Sequence, residues 1–357
     1  MRVLIAGGGT GGHVIPALAI ARELRDAHSA EVRFVGTARG LETKLVPDAG
    51  FPLELIHVGQ LKGVSLMTRL RTLADLPLGV MRCIRLLREF KADVVIGVGG
   101  YASGPAMMAA IMMRVPTLAF EPNAVPGLAN RLVGKWVSAA AVNFPPTSAY
   151  FHSARVTGIP VRAEFFALAP RLEGSPLHLL VMGGSQGARA LNEAMPKIVC
   201  ELLSRFPELT VLHQAGATHS EQTSRAYTES SADAARWQVA AFLHDMPQRF
   251  AETDLILCRS GASTVAELAA SGKPSLLVPF PQAADDHQRK NADVLVAAGA
   301  ARLLVQAELT PETLLRELTV LLADGAMLRN MAERARLLAH PDAVRTIAAM
   351  VQEIARP

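Results

Sequence analysis

Two glycine-rich turns, each directly after a short apolar run, constrain this chain more than any other feature. The first, Gly-Gly-Gly-Thr-Gly-Gly-His at residues 7–13, follows the run 3–6, and the second, Gly-Gly-Ser-Gln-Gly-Ala at residues 183–188, follows the run 178–182. A strand, a glycine turn with bare backbone N–H groups and a helix N-terminus together form a site for anions such as phosphate. One such arrangement in each half predicts two nucleotide-fold domains that face a shared cleft.

Apolar runs of strand length alternate with helical patterns along the whole chain. The predicted strands are residues 3–6, 32–35, 53–58, 94–98, 117–120, 155–157, 178–182, 210–214, 238–243, 255–258, 275–280 and 301–305. Continuous apolar strands separated by helices are typical of parallel sheets covered on both faces. The fold class is therefore α/β, with doubly wound, Rossmann-like halves.

The length of 357 residues fits two domains of about 150 to 200 residues each. Proline and glycine are dense over residues 158–176, where periodicity lapses, so the boundary is placed at 160/161. The domains are residues 1–160 and 161–357, with a last helix that can pack back on the first domain.

Composition and charge limit the class of protein. With 50% hydrophobic and 19% charged residues, the chain is globular rather than disordered. Cys83, Cys200 and Cys258 show neither metal spacing nor an even disulfide set, which favours a reducing compartment such as the cytoplasm. No apolar run reaches the roughly 18 to 20 residues of a spanning helix.

Charge is distributed unevenly between the two halves. Residues 1–160 carry 17 basic and 10 acidic side chains, whereas residues 161–357 carry 19 basic and 22 acidic ones. A basic first half can attract an anionic surface or substrate.

Gly7, Gly9 and Gly12 satisfy the dinucleotide pattern G-x-G-x-x-G. The predicted second strand ends without the acid that would hold a ribose, and no lysine follows the glycines, so a dehydrogenase and an NTPase are both disfavoured. A purely structural turn remains an alternative. His13 begins a helix at the carboxyl edge of the first strand, where it is either a general base or a helix-capping residue. A third glycine turn, residues 97–104, should converge on the same edge.

In the second half, residues 259–267 follow a strand and open a helix, which places Glu267 one or two turns inside it. This carboxylate can accept both hydroxyls of a ribose, or it only offsets the helix dipole. Asp285, Asp286 and His287 lie in a polar loop, but adjacent residues converge poorly on one metal ion. No metal and no cofactor are therefore expected, and Gln288 suits hydrogen bonding to sugar hydroxyls.

Several of these motifs, in order along nearly the whole chain, resemble the MurG family of peptidoglycan N-acetylglucosaminyltransferases, which make lipid II from lipid I. The matching segments are Gly-Gly-Thr-Gly-Gly-His at 8–13, Gly-Gly-Tyr-x-Ser-Gly at 99–104, Gly-Gly-Ser-Gln-Gly-Ala at 183–188 and Cys-Arg-Ser-Gly-Ala at 258–262, with Glu267 and Gln288. Two departures are Glu-Pro-Asn at 121–123 in place of Glu-Gln-Asn, and Gly-Ile-Pro at 158–160 in place of Gly-Asn-Pro.

The resemblance implies a GT-B fold and inverting transfer of GlcNAc from UDP-GlcNAc to the 4-hydroxyl of MurNAc in lipid I. Residues 1–160 would bind the acceptor and the membrane, and residues 161–357 the donor. His13 would be the catalytic base. Ser185 would bind the diphosphate, Glu267 the ribose, and Arg162 with the backbone of Leu243 the nucleotide. The remaining substrate-binding residues that it implies are Asn123 and Gln288 at the sugar, Thr10, Gly11 and Gly12 near sugar and diphosphate, and Ala262, Ser263, Thr264, Val265 and Ala266 at a helix start.

A lipid-linked acceptor, undecaprenyl-pyrophosphoryl-MurNAc-pentapeptide, implies a peripheral enzyme on the cytoplasmic face of the bacterial inner membrane. Residues 64–90 mix apolar and basic side chains, which favours contact with an anionic bilayer, although burial against the sheet also explains the apolar ones. The side chains concerned are Leu66, Leu70, Leu73, Met81, Ile84 and Leu87 with Arg69, Arg71, Arg82, Arg85 and Arg88.

Three other functions remain open from the sequence. A UDP-GlcNAc 2-epimerase shares the two-domain fold, a transferase with another acceptor would share the donor-site residues, and a non-catalytic protein would bind the nucleotide sugar without turnover.

Overall fold

The computed structural model describes residues 1–58, 66–169 and 174–355, and it describes residues 66–75 by their backbone alone. The chain divides into two compact units. The first unit comprises Met1–Pro160 with Asp342–Pro357, and the second comprises Val161–Pro341. Each unit is built on one parallel sheet.

The first unit contains a seven-stranded sheet in the order β3-β2-β1-β4-β5-β6-β7, and every pairing is parallel. Its strands are β1 (Arg2–Ala6), β2 (Glu31–Gly36), β3 (Leu53–Leu55), β4 (Val94–Gly97), β5 (Thr117–Glu121), β6 (Ala139–Val142) and β7 (Ala154–Val156). Its first five helices are α1 (Gly11–His28), α2 (Glu42–Asp48), α3 (Leu66–Phe90), α4 (Ser103–Met112) and α5 (Leu128–Val133).

The second unit contains a six-stranded parallel sheet in the order β10-β9-β8-β11-β12-β13. Its strands are β8 (His178–Met182), β9 (Thr210–Gln214), β10 (Trp237–Ala240), β11 (Leu255–Cys258), β12 (Ser275–Leu277) and β13 (Ala301–Leu303). Its helices are α6 (Ala163–Phe166), α7 (Arg189–Arg205), α8 (Ser220–Glu229), α9 (Met246–Glu252), α10 (Ala262–Ser271), α11 (His287–Ala297), α12 (Pro311–Ala323) and α13 (Gly325–Arg336).

The last helix, α14 (Ala343–Ile354), belongs to the first unit, although it follows the second in the chain. Gln352 bonds to the His28 ring at the end of α1, and Glu353 pairs with Arg155 of β7 at 3.0 Å. Buried Ile347 and Val351 provide its apolar side. The chain thus leaves the first unit after Pro160 and returns to it at Asp342.

The prediction of two doubly wound parallel sheets is confirmed, because the central strands are buried on both faces as their apolar runs require. One strand was missed. In the segment Ala-Ala-Ala-Val of β6, only Val142 is of the β-branched or aromatic type that marks strands, yet all four residues are buried between β5 and β7. Predicted strands 275–280 and 53–58 end early, at Leu277 and Leu55. Pro279, which has no N–H to donate to a ladder, lies just beyond β12.

Candidate functional site

Parallel pairing brings two glycine turns of the first unit to one edge of its sheet. Ala6 at the end of β1 is in register with Gly97 at the end of β4. The turns that follow then touch, since the Gly8 N–H donates to the Gly99 carbonyl at 3.3 Å. A Cβ on Gly100 would lie 2.4 Å from the Gly8 oxygen, so the approach is closer than a side chain allows. The predicted convergence of residues 7–13 and 97–104 is confirmed.

His13 lies in the first turn of α1, behind Thr10, Gly11 and Gly12. Thr10 takes the N-cap position, and its carbonyl accepts the N–H groups of His13 and Val14 at 3.1 Å. The His13 Nδ1 atom lies 3.2 Å from the Gly8 carbonyl oxygen. A carbonyl can only accept, so this bond places the ring proton on Nδ1 and leaves Nε2 as the basic nitrogen. Nε2 points toward Gly99, where a Cβ would be only 3.1 Å away.

Asn123 lies beyond the carboxyl end of β5 in a loop that Glu121 organises. The Glu121 carboxylate accepts the Asn123 N–H at 3.0 Å and the Asn123 side-chain amide at 3.2 Å. It also accepts from Gly127 N–H at 3.0 Å and from Asn130 Nδ2 at 2.9 Å. Burial raises the pKa of Glu121, although its four hydrogen bonds act in the opposite direction. Sequence reasoning missed this residue, and its only signal was the place directly before Pro122-Asn123.

The glycine turn of the second unit follows β8, where Ser185 is exposed. Its shape comes from close backbone contacts: the Gly187 N–H donates to the Gly184 carbonyl at 2.9 Å. A Cβ on Gly187, whose φ is +74°, would lie 1.8 Å from the Ala215 carbonyl oxygen. Helix α7 begins directly after this turn, so the turn and the helix N-terminus have the predicted arrangement for an anion.

Glu267 lies on α10, which begins at the carboxyl end of the neighbouring strand β11. It is the sixth residue of the helix, as predicted, and Ala262, Ser263, Thr264, Val265 and Ala266 precede it. Burial raises the pKa of Glu267 to about 7, while the positive charge of Arg162 lowers it. Arg162 is exposed, and its guanidinium lies 5.1 Å from the centre of the Phe165 ring. The structure thus places Arg162 close enough to Glu267 for their charges to interact.

Gln288 is the second residue of α11 and connects two loops of the second unit. Its side-chain oxygen accepts the Phe280 N–H at 3.0 Å, and its carbonyl accepts the hydroxyl of buried Ser260 at 2.8 Å. Arg259 holds the same loop, donating to the carbonyls of Val278 at 2.9 Å and Pro279 at 3.0 Å. Sequence reasoning quoted Arg259 in a motif but gave it no role, because these carbonyl partners lie about twenty positions away.

Leu243 and the acidic loop complete the predicted set. Leu243 is buried and lies three residues beyond β10, which is one edge strand of the sheet. Gln288 follows β12, which lies near the opposite edge. Asp285 and Asp286 have left-handed backbone angles, φ +54° at both. Within residues 1–58, 66–169 and 174–355, no three His, Cys, Asp or Glu side chains are grouped to hold a metal ion.

A cavity of about 350 Å³ in the second unit lies elsewhere. Thr253, Lys273 and Arg336 line it. Thr253 lies two residues before β11 and Lys273 two residues before β12, so the cavity is at the amino ends of these strands. Ligands of open α/β sheets bind at the carboxyl ends, where the predicted residues are.

Comparison with known proteins decides the family. The model of the glycosyltransferase family 28 N-terminal domain matches residues 3–142, and the model of its C-terminal domain matches residues 178–347. The chain belongs to glycosyltransferase family 28. A family 28 relative from Solibacter usitatus is 46% identical over 99% of this chain and 96% of its own length. Its name is UDP-N-acetylglucosamine–N-acetylmuramyl-(pentapeptide) pyrophosphoryl-undecaprenol N-acetylglucosamine transferase.

Solved structures share the fold over nearly the whole chain. The crystal structure of Acinetobacter baumannii MurG superposes with a TM-score of 0.86 at 33% identity, over 99% of both chains. The resemblance to the MurG family and the GT-B fold are thereby confirmed. A putative UDP-N-acetylglucosamine 2-epimerase from Listeria monocytogenes reaches a TM-score of 0.69 at 14% identity, covering 99% of this chain and 96% of its own. That likeness shows the fold alone.

Proposed function

We infer that this protein transfers GlcNAc from UDP-GlcNAc to the 4-hydroxyl of MurNAc in undecaprenyl-pyrophosphoryl-MurNAc-pentapeptide, with inversion. The observation that carries the proposal is 46% identity over nearly the full length to a relative with this named activity. The predicted site residues support it, because all of the turns involved follow the carboxyl ends of parallel strands. An epimerase is disfavoured, since the epimerase likeness is limited to the fold at 14% identity.

We propose the following division of labour for the reaction. His13 Nε2 takes the proton of the acceptor 4-hydroxyl as that oxygen attacks the anomeric carbon, and the bond from this carbon to the UDP oxygen breaks. The amides of residues 183–188 and the start of α7 stabilise the leaving diphosphate, with Ser185 as a further donor. Glu267 accepts the ribose hydroxyls, Arg162 and the Leu243 backbone contact the nucleotide, and Asn123 and Gln288 contact the sugar.

The direct test is transfer of radiolabelled GlcNAc from UDP-GlcNAc to a lipid I analogue. We expect a labelled disaccharide lipid that appears only when the acceptor is present. A reaction without acceptor tests for an epimerase, which would convert the free nucleotide sugar. With the lipid I analogue present, binding of UDP-GlcNAc without any product would indicate a non-catalytic protein or a transferase for another acceptor. Either result would overturn the proposal.

We further propose that the first unit associates with an anionic membrane through α3. None of the helices in the described parts of the chain is long and apolar enough to cross a bilayer. On α3, Val80, Cys83, Leu87 and Phe90 are buried in the core. Of the two alternatives left open for the apolar side chains of this segment, burial therefore holds for Leu87, and Ile84 is partly buried against the same core.

The opposite side of α3 supports the proposal. We define the α3 outer face as Leu78, Met81, Arg82 and Arg85, which lie at helical spacing and are all exposed. Leu78 and Met81 each have 65% of their surface exposed. Apolar residues beside arginines suit the interface of an anionic bilayer. Residues 59–65 and the side chains of Leu66, Arg69, Leu70, Arg71 and Leu73 lie outside the described part of the chain.

Flotation with vesicles tests this surface. We expect binding to vesicles that contain phosphatidylglycerol, weaker binding to pure phosphatidylcholine, and a loss of about 3- to 20-fold for Leu78→Ser. Leu337→Ser is the matched control, because Leu337 is 84% exposed but lies in the second unit. Equal losses in the two variants would contradict a specific role of the α3 outer face.

A further inference from the structure

The carboxylate of Glu42 is buried beside the first glycine turn. Glu42 begins α2 and is 1% exposed. Its Oε2 accepts the Gly9 N–H at 2.7 Å, and its Oε1 accepts the Thr37 N–H at 3.0 Å and the Thr37 hydroxyl at 3.1 Å. These donors are two backbone amides and a hydroxyl, so neutral groups of the described chain satisfy this buried charge.

Glycines around the carboxylate make room for it. A Cβ on Gly8 would lie 2.2 Å from the Glu42 carboxyl carbon, and one on Gly40 would lie 1.8 Å from Oε2. The Gly9 backbone, with φ +94°, turns its N–H toward this carboxylate. An amide of a glycine turn ordinarily donates to a bound phosphate in nucleotide-binding folds. Here an anion of the protein itself occupies that donor.

The same peptide unit also holds His13. The Gly8 carbonyl, which accepts from His13 Nδ1, and the Gly9 N–H, which donates to Glu42, belong to one planar peptide group. Rotation of a Gly–Gly peptide meets little steric resistance, because neither residue has a side chain. The charge-assisted hydrogen bond that Gly9 donates to Glu42 opposes that rotation, and it polarises the carbonyl as an acceptor for the ring.

We propose that Glu42 is a positioning residue that fixes the Gly8–Gly9 peptide and, through it, the tautomer and orientation of His13. The inference rests on the proposed role of His13 as the base. The carboxylate acts on the imidazole through a peptide group, as a second partner orients a catalytic histidine elsewhere. The first glycine turn therefore uses its Gly9 amide to present His13 and not to bind the donor diphosphate.

Glu42→Gln is the decisive variant. The amide keeps the shape but carries no charge, and in either orientation its NH2 faces an N–H donor, that of Gly9 or that of Thr37, so the bond that holds Gly9 is lost or weakened. We expect kcat to fall by about 10- to 100-fold with donor KM unchanged, the range seen when a partner that orients a reactive group is lost. Glu54→Gln is the matched control, because Glu54 is exposed on β3 and should leave kcat unchanged. Thr37→Val keeps the bond to Gly9, so its kcat should stay within about threefold of the parent.

A double-mutant cycle separates positioning from general damage. In a His13→Ala background, Glu42→Gln should lower kcat by less than about threefold, because residues that act as a unit are not additive. A full additional loss in that background, or a loss in Thr37→Val as large as in Glu42→Gln, would overturn the proposal.

Nitrogen-15 NMR of the histidine rings gives a readout that needs no activity. The His13 signals, assigned by their absence in His13→Ala, should report the Nδ1–H tautomer in the parent protein and a mixture or the other tautomer in Glu42→Gln. A parent His13 in the Nε2–H form would overturn the proposal even if Glu42→Gln fails to fold. If the parent transfers no sugar, the proposed function fails, while this spectrum still decides whether Glu42 orients His13.

Discussion

The two glycine turns look alike in sequence but are surrounded differently. In the first unit, the carboxylate of Glu42 already accepts from Gly9, and the turn holds His13. In the second unit, no carboxylate of the described chain bonds to the amides of residues 183–188, and Ser185 is exposed beside them. An occupied turn suits the placement of a reactive side chain, whereas an open turn suits a diphosphate. This difference supports the proposal that similar motifs serve catalysis in one unit and donor binding in the other.

Among the changes that test this difference between the two turns, replacing His13 should have the largest effect, and it should act on turnover. We expect His13→Ala to lower turnover by about 100- to 10,000-fold, the range for loss of a general base, with nearly unchanged UDP-GlcNAc affinity. Transfer rate, donor affinity and melting temperature are measured on one preparation. If His13 only fills a polar contact with the Gly8 carbonyl, stability should fall by about 1 kcal/mol while most turnover remains. Turnover within about threefold of the parent would then remove His13 as the base.

Replacing Glu267 should weaken donor binding by the second unit. A carboxylate that accepts two ribose hydroxyls is worth about 1.5 to 3 kcal/mol, so Glu267→Ala should weaken donor binding by roughly 10- to 150-fold. Titration calorimetry with UDP-GlcNAc measures the loss, and acceptor binding should change much less. Unchanged donor affinity in a folded variant would exclude Glu267 from the donor site.

Glu267 should also make the free energy of unfolding depend on pH, and this effect is smaller. Burial raises the pKa of Glu267 from 4.5 to about 7, so the folded state favours the neutral carboxyl. Its contribution is greatest below pH 4.5 and is lost as the pH rises through about 7. Glu267→Gln should therefore be more stable than the parent at pH 8, by about 1 to 3 kcal/mol, with the difference shrinking toward pH 4.5. Denaturant unfolding at several pH values measures it, and a constant difference would contradict the burial of this charge.

The smallest expected effect is that of a chelator. If backbone amides and the start of α7 stabilise the leaving diphosphate, EDTA should leave the transfer rate within about twofold of the untreated enzyme. The assay requires a dialysed enzyme and metal-free buffers. Loss of activity that magnesium or manganese restores would show that the second turn needs a cation, and it would direct attention to Asp285 and Asp286.

Much of the fold was predictable because its signals are local. Apolar runs such as residues 178–182 mark strands, and the glycine turns directly after them mark the carboxyl edge of each sheet. β6 was not predictable in this way, since three of its four residues are alanines, which do not favour strands, and the segment becomes a strand only between β5 and β7. The position of Glu267 inside a helix followed from counting residues after β11, but its raised pKa did not.

The sequence by itself determined the parallel α/β class and the placement of His13, Ser185 and Glu267 next to strand ends. The tertiary structure alone decided what surrounds them. Glu42 reaches Gly9 across 33 positions, and Arg259 reaches Val278 across 19. Such contacts depend on which helix packs beside which strand, and no local pattern encodes them. Burial makes these contacts important for stability and for pKa values, because a charge removed from water needs hydrogen-bond partners among the groups that the fold brings near.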